Sequence, residues 1–238
     1  MMITSMLRRL SRWRPNTEIE NRLRNEPRFR QLQAYCRDTD SKYRLAQAVK
    51  ETRFVVIDTE TTGFHAYADD RIVSIALLEM QGLALTKKRF TSLVNPGRGI
   101  PPESTAIHHI VDGDVSDAPL LEDIINDIVE FLGDSVLVGH HLAFDLRFLN
   151  RELKRLVDCQ LQNPVIDTML LYLGYTGQIG HYTLEEVARH SKVGIQGRHT
   201  ALGDALIAAN AFASMTSRMM EVSEPVSRLI RHQGMSQT

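Results

Sequence analysis

Four acidic residues and one histidine stand where they could do chemistry together. Asp58 and Glu60 lie two residues apart at the end of the apolar run FVVID, and residues two apart in a strand point to the same face. Asp145 follows a second apolar run, SVLVG, and Asp204 lies five residues after His199 in RHTALGDA. Each acid alone has an ordinary explanation as a strand-rim or helix-terminal charge. Together they place four carboxylates at the ends of separate core elements, where uncompensated charge is costly.

This arrangement favours metal-assisted hydrolysis of a phosphodiester. Two divalent cations would balance four carboxylates, and hard oxygen ligands favour Mg²⁺ or Mn²⁺ over zinc. A pair of metal ions can position water on one side of a phosphate and stabilise the leaving oxygen on the other. His199 is the nearby candidate for the general base, since a reference pKa of about 6.5 suits proton abstraction near neutral pH.

The elements that must position these residues can be read from the hydrophobic pattern. Three short-linked apolar runs predict an antiparallel meander, with Gln81 and Gly82 as a hairpin turn, and a Pro- and Gly-rich connection follows over 95–118. Helices and strands then alternate, which implies parallel pairing. The predicted strands are FVVID, 71–80, 83–94, 135–139 and a short one at Val165 and Ile166, and the predicted helices span about 119–132, 143–157 and 200–220.

The chain of 238 residues, with 43% hydrophobic residues, has room for one substantial core. We expect a basic helical N-terminal extension over residues 1–52, a catalytic domain over 53–220 and a mobile C-terminal tail over 221–238. Residues 1–53 carry 13 Lys/Arg against 6 Asp/Glu, so a basic arm precedes an acidic body. No apolar stretch reaches the ~20 residues that span a bilayer, and we expect a soluble, cytoplasmic protein without membrane insertion. Cys36 and Cys159 are expected to be buried or incidental thiols.

Three segments, taken in order, carry a resemblance to a known family. VVIDTETTGF, GHHLAFD and HTALGDA resemble the three motifs of the DEDDh, or DnaQ-like, 3′→5′ exonucleases, over roughly Phe54 to Met215. The resemblance implies an α/β, RNase H-like fold in which helices flank a mixed five-stranded sheet. It also implies that the four acids named above are metal ligands and that the motif histidine is the general base.

The same resemblance assigns further residues. Thr61 would approach the terminal nucleotide through its backbone, Phe64 would pack against terminal bases, and Gly63 would permit the tight backbone between them. Asp167 matches a recurrent family acid and would support the metal site. His141 stands where the family commonly has Asn, so we expect it to contact substrate with a protonation state that varies near neutral pH.

The implied activity is removal of nucleotides from the 3′ end of single-stranded DNA, releasing nucleoside 5′-monophosphates. DNA is favoured because the motifs resemble proofreading members, among them the epsilon subunit of bacterial DNA polymerase III. One alternative is an RNA-trimming enzyme similar to RNase T or oligoribonuclease. Another is a polymerase-bound proofreading or interaction module, with a polymerase or other protein held by the N-terminal extension. A nucleic-acid binder that lost activity is disfavoured, because all four acids and the histidine are present.

Overall fold

A single mixed sheet organises the chain. The computed structural model describes residues 21, 25–37, 41–66 and 68–234. The strands are β1 (Arg53–Thr61), β2 (Ile72–Gln81), β3 (Ala84–Leu93), β4 (Val136–Gly139) and β5 (Val165–Asp167). Their order is β3-β2-β1-β4-β5, with β1, β2 and β3 antiparallel and β1, β4 and β5 parallel. The predicted meander followed by parallel pairing, within a five-stranded sheet flanked by helices, is confirmed.

Ten helices are described around this sheet. They are α1 (Pro27–Arg37), α2 (Ser41–Ala46), α3 (Pro102–His108), α4 (Asp112–Val115), α5 (Leu121–Leu132), α6 (Ala143–Val157), α7 (Thr168–Thr176), α8 (Leu184–Ser191), α9 (Ala201–Met219) and α10 (Ser227–Gly234). The three predicted long helices are present as α5, α6 and α9. Helices α7 and α8, which lie between β5 and α9, were not predicted. Among these described helices, none has both the length and the apolar character needed to cross a bilayer.

Strand β1 divides the core into two halves. Phe54 and Val56 face one side of the sheet, where they pack with residues from α7, α8, α9 and α10. Val55 and Ile57 face the other side and pack with α1, α5 and α6. All four side chains are buried. This alternation matters at the end of the strand, because it decides which acidic residues can meet.

The N-terminal helix α1 is part of the core, and our description of it as an appendage is wrong. Phe29 and Leu32 are buried against α5 and α6. Cys36 on α1 is joined to Cys159 in a disulfide, with the Cα atoms 6.2 Å apart, so the expectation of separate thiols is also wrong. The two cysteines are 123 residues apart in sequence, and only the packing of α1 beside the end of α6 brings them together. Residues 1–20, 22–24 and 38–40 of the basic arm lie outside the described residues.

The segment after α9 packs against the core as far as Gly234, which differs from the mobile tail expected over 221–238. Val226 and Leu229 are fully buried and pack with α7. The Val49 backbone N–H donates to the Glu224 carbonyl at 2.9 Å. The buried apolar residues and the backbone pairing with the N-terminal segment hold this region in place. Residues 235–238 lie outside the described residues.

Candidate active site

Asp58 and Glu60 lie near the C-terminal end of strand β1. They alternate with buried residues along the strand and are themselves partly buried. They continue the face that begins with Phe54 and Val56, so both carboxylates point toward the α9 side of the sheet. The β1–β2 register shifts between Glu60 and Thr61, and such an irregularity ends regular pairing and redirects the chain at the rim of a site.

Asp204 is brought to the same place by the start of α9. The Thr200 hydroxyl accepts a hydrogen bond from the Gly203 backbone N–H at 3.1 Å and caps the helix. A Cβ at Gly203 would lie 1.8 Å from the Gly197 carbonyl oxygen, so only glycine allows the preceding loop to approach. Asp204 therefore stands in the first turn of α9, directly beneath a loop that carries His199.

His199 has a backbone conformation that few residues other than glycine adopt. Its φ is 64°, in the left-handed region, and its backbone N–H donates to Asp204 Oδ1 at 3.3 Å. Because its backbone is tied to the carboxylate, the imidazole lies beside the acids and lines the same cavity. The structure thus brings the predicted general base to the predicted metal ligands.

Three of the four acids converge. Carboxylate oxygens of Asp58, Glu60 and Asp204 lie within 4.8 Å of one another. Neither His nor Cys contributes to this group among the described residues, and an all-oxygen donor set fits a hard divalent cation such as Mg²⁺ or Mn²⁺. The residues present therefore fit the metal that the chemistry calls for.

Asp145 approaches from the opposite side of β1. It stands in the first turn of α6 and is 4% exposed. Its Oδ1 accepts a hydrogen bond of 2.6 Å from the hydroxyl of Thr59, the strand residue between Asp58 and Glu60 that points toward α6. The alternation of β1 thus separates Asp145 from the other three, although its charge still acts on Asp58. Its role as a metal ligand stays a prediction.

The acids disturb one another strongly. Burial, followed by the charges of Asp145, Asp204 and Glu60, raises the pKa of Asp58 well above its usual range. Burial and the Asp204 charge raise the pKa of Glu60 to about 7. Burial also raises the pKa of Asp145 to about 7, against the lowering effect of the Thr59 hydrogen bond. Because ionised carboxylates are unfavourable in this site, a bound cation would stabilise their charged forms.

Arg198 was missed by the sequence analysis although it directly precedes His199. Its guanidinium forms ion pairs with Asp204 and, at 2.7 Å, with Glu185. It also lines the cavity that holds the three converging acids. The motif offered one signal, a cation beside a cluster of acids, but nothing in the spacing ties Arg198 to Glu185 on α8.

The acids form the floor of a cavity of about 520 Å³. Phe64 stands at its wall with 73% of its surface exposed, and its ring centroid is 6.1 Å from that of Phe144. Ile107, on α3, also lines the cavity and is exposed. Neither Phe144 nor Ile107 was singled out from sequence. The three apolar side chains make one wall suited to a flat, apolar group.

The loop after β1 holds Phe64 in place. The Thr61 hydroxyl donates to the Gly63 carbonyl at 2.7 Å, and Asp70 accepts from the Thr62 hydroxyl at 3.0 Å and from the His65 backbone N–H at 2.9 Å. A Cβ at Gly63 would lie 2.5 Å from the Asp70 carboxylate. Gly63 is therefore required for space, and not for a left-handed backbone, since its φ is not positive.

His141 and Asp167 do not line the cavity. The His141 ring stacks on His181, with centroids 4.3 Å apart, and is not among the described residues that line the cavity. Asp167 caps α7 by accepting from Met169, and it also accepts from the Leu142 backbone N–H at 2.9 Å. Asp167 thus secures the turn that leads into α6 and Asp145. The substrate contact expected of His141 stays a prediction.

Comparisons with known proteins agree with this geometry. A sequence model of the exonuclease family, RNase_T, matches residues 55–212. The DNA polymerase III subunit epsilon of Rickettsia prowazekii is 36% identical over 171 residues, which cover 69% of this chain and 74% of that protein. A DNA polymerase III subunit epsilon-like protein of Rhodobacter capsulatus is 40% identical over 162 residues, which cover 67% of this chain. The match spans only 23% of that relative's length.

Solved structures show the same fold. Exonuclease X, in complex with 5′ overhanging duplex DNA, superposes with a TM-score of 0.58 at 26% identity, covering 74% of this chain and 98% of the other. Exonuclease I superposes with a TM-score of 0.62 at 15% identity, covering 76% of this chain and 43% of the other. At that identity, the second likeness concerns the fold alone.

Proposed function

The chain belongs to the exonuclease family and is a 3′→5′ exonuclease that depends on divalent metal, and from this premise we propose its substrate and mechanism. The substrate is the 3′ end of single-stranded DNA, and the product is a nucleoside 5′-monophosphate. One observation carries the proposal. Carboxylates of Asp58, Glu60 and Asp204 gather within 4.8 Å on the floor of a cavity whose wall exposes the Phe64 ring.

The acids would hold two divalent cations, Mg²⁺ or Mn²⁺. Asp58, Glu60 and Asp204 supply the converging oxygens, and Asp145 completes the set once its carboxylate turns from the Thr59 hydroxyl. When bound, such a pair of ions supplies charge stabilisation for the phosphate and for the attacking and leaving oxygens. Four carboxylates would balance the four positive charges, which would relieve the burial and the mutual repulsion that raise the pKa values of Asp58 and Glu60.

His199 accepts the proton of the attacking water. The water oxygen forms a bond to the terminal phosphorus, the bond from phosphorus to the 3′ oxygen of the preceding nucleotide breaks, and that oxygen takes up a proton. The chain ends again in a 3′ hydroxyl, one nucleotide shorter. His199 is suited to this role because its backbone is anchored to Asp204 at 3.3 Å while its ring faces the cavity.

The apolar wall receives the terminal bases. Phe64 offers an exposed ring, with the tilted ring of Phe144 beside it at a centroid distance of 6.1 Å. Stacking of a base on an aromatic ring contributes about 1–3 kcal/mol and tolerates any base. Thr61 and Gly63 position this ring through the loop after β1. A single strand fits such a wall, because its bases are free to leave their own stack.

The proposal is tested by digesting single-stranded DNA and RNA oligonucleotides of matched sequence, labelled at the 5′ end, with Mg²⁺, Mn²⁺ or EDTA. We expect stepwise shortening from the 3′ end, dependence on metal, and nucleoside 5′-monophosphates as the released product. Faster digestion of RNA would overturn the assignment to DNA. Absence of cleavage with either metal would overturn the proposed activity as a free-standing enzyme.

Similarity to polymerase subunits supports a second candidate role. The relatives from Rickettsia and Rhodobacter are described as DNA polymerase III epsilon or epsilon-like proteins, which favours proofreading beside a polymerase. If this chain has that role, a polymerase copurifies with the tagged full-length protein and raises its preference for mispaired 3′ ends. Unchanged discrimination in the presence of the polymerase would contradict it.

A further inference from the structure

A second cavity, of about 530 Å³, lies beside the loop that carries Phe64. Three arginines line it, Arg71 just before β2 and Arg151 and Arg155 on α6, together with Glu122 and Glu152. Burial, followed by the guanidinium group of Arg71, lowers the pKa of Arg151, against the opposing charges of Glu152 and Asp69.

The three arginines differ in how their charge is balanced. Arg155 is neutralised by Glu122 and Glu152, with its Nε 3.2 Å from both oxygens of Glu152. Arg151 donates instead to backbone carbonyls, among them that of Asp70 at 2.9 Å.

Arg71 likewise donates to the Asp70 carbonyl, at 3.1 Å. Within the described part of the chain, no carboxylate forms an ion pair with Arg71 or Arg151. Arg71 and Arg151 thus have no direct ion pair in the described residues, although the nearby charges of Glu152 and Asp69 act on Arg151.

A third cation connects this surface to the active site. Arg98 and Arg71 line a neighbouring depression together with Asp69. Arg98 lies 3.7 Å from the Asp70 carboxylate, and 38% of its side chain is exposed. Asp70 in turn lines the catalytic cavity. The positive surface made by Arg71, Arg98 and Arg151 therefore begins where the catalytic cavity ends.

We propose that Arg71, Arg98 and Arg151 bind phosphates of the substrate strand upstream of the nucleotide being removed. The inference rests on the proposed function, because a strand whose 3′ end occupies the catalytic cavity must leave it across a neighbouring surface. The body of the protein is acidic, so guanidinium groups that are unpaired, as in Arg71 and Arg151, or paired at 3.7 Å and partly exposed, as in Arg98, are the groups best placed to attract phosphodiesters. Neutralising phosphates with Arg is also the main source of affinity for a nucleic-acid strand.

The test is the salt dependence of binding, which counts phosphate contacts. Binding of 5′-fluorescein-labelled dT12 to the full-length protein is followed by fluorescence anisotropy in EDTA, between 50 and 300 mM NaCl. Each lost phosphate contact reduces the slope of log K against log salt by about 0.7 for a single strand, or about fivefold in affinity near 0.1 M salt. We expect the double variant Arg71→Gln, Arg98→Gln to lose about 1.4 from the slope.

Two controls separate charge from loop shape. Arg155→Gln lies in the same cavity, but Arg155 is held by two carboxylates, those of Glu122 and Glu152, whereas Arg98 has one carboxylate at 3.7 Å. The slope for Arg155→Gln should therefore stay close to wild type. Arg71→Lys keeps the charge while altering the carbonyl contacts and should retain the wild-type slope. A double Gln variant with the wild-type slope overturns the inference, as does wild-type protein that binds dT3 as tightly as dT12.

The proposed function is judged separately. Hydrolysis of the p-nitrophenyl ester of thymidine 5′-monophosphate with Mg²⁺ or Mn²⁺ requires the catalytic cavity but presents no upstream phosphate. Loss of that hydrolysis in the wild-type protein would count against the proposed chemistry. The salt slope in EDTA would still report whether the arginines bind the strand.

Discussion

Glu60→Gln should stabilise the metal-free protein while destroying its response to metal. In the folded protein, burial and the charge of Asp204 raise the pKa of Glu60 from 4.5 to about 7. At pH 8 the carboxylate is ionised in both the folded and the unfolded state, but it is held unfavourably in the folded one. Replacing it with a neutral amide of the same shape removes that cost.

The magnitude follows from the pKa. One pKa unit corresponds to about 1.4 kcal/mol, so raising it from 4.5 to about 7 costs at most about 3–4 kcal/mol. Glu60 is partly exposed, and solvent screening reduces the figure to about 1–2 kcal/mol. For a chain of this size that corresponds to a rise in Tm of roughly 2–8 °C.

The pH dependence determines whether the Glu60 carboxylate stabilises or destabilises the folded protein. Glu60 has a raised pKa when folded, so its contribution to stability is most favourable below pH 4.5 and is lost as the pH rises through about 7. The difference in Tm between Glu60→Gln and wild type should therefore be largest at pH 8 and shrink toward pH 5. Adding Mg²⁺ or Mn²⁺ should reverse the order, since only the wild type gains binding energy from the ions.

The assay is thermal unfolding followed by circular dichroism in EDTA and in excess metal, at pH 5, 6.5 and 8. Glu103→Gln is the matched control, because Glu103 lines the same cavity on its exposed side but is outside the acidic group. Its Tm should stay close to wild type under all conditions. A Glu60→Gln protein that is less stable than wild type in EDTA at pH 8 would refute the view that the acids repel one another.

Three further predictions concern activity. Asp58→Ala should abolish hydrolysis and keep the fold, as judged by circular dichroism; near-normal turnover would remove Asp58 from the metal site. His199→Ala should lower kcat about 10²–10⁴-fold without changing metal affinity measured by calorimetry; a small loss of kcat would assign proton transfer to another group. Phe64→Ala should raise KM for single-stranded DNA about 5–100-fold, from a stacking loss of about 1–3 kcal/mol, with little change in kcat; an unchanged KM would return Phe64 to loop packing.

The parts of the fold that sequence predicted are those where local pattern and tertiary structure agree. The β1 run is apolar and β-branched, and Asp58 and Glu60 follow it at a spacing that only a strand places on one face. Helix α9 has a long stripe of small and apolar residues, and Asp204 marks its first turn. The active-site floor could be assembled from such signals because each acid sits at the end of a regular element.

What the sequence did not reveal depends on which surfaces meet. Nothing in the spacing of Asp145 shows that Thr59 holds it at 2.6 Å on the far side of β1 from its partners. Arg198 pairs with Glu185 only because α8 packs beside the loop before α9. The segment after α9 is short, polar and contains Pro225, a composition typical of loose ends, yet Val226 and Leu229 are buried by α7.

The segment before β1 pairs with the segment after α9, and this pairing bears on how the domain could be shortened. The family match covers 55–212, but the hydrogen bond from Val49 to Glu224 joins two segments outside that range. A fragment trimmed to the shared region would lose α1 and α10 together and would leave apolar surface of α5, α6 and α7 open to water. The packed core of this protein therefore extends beyond the residues that the family model matches.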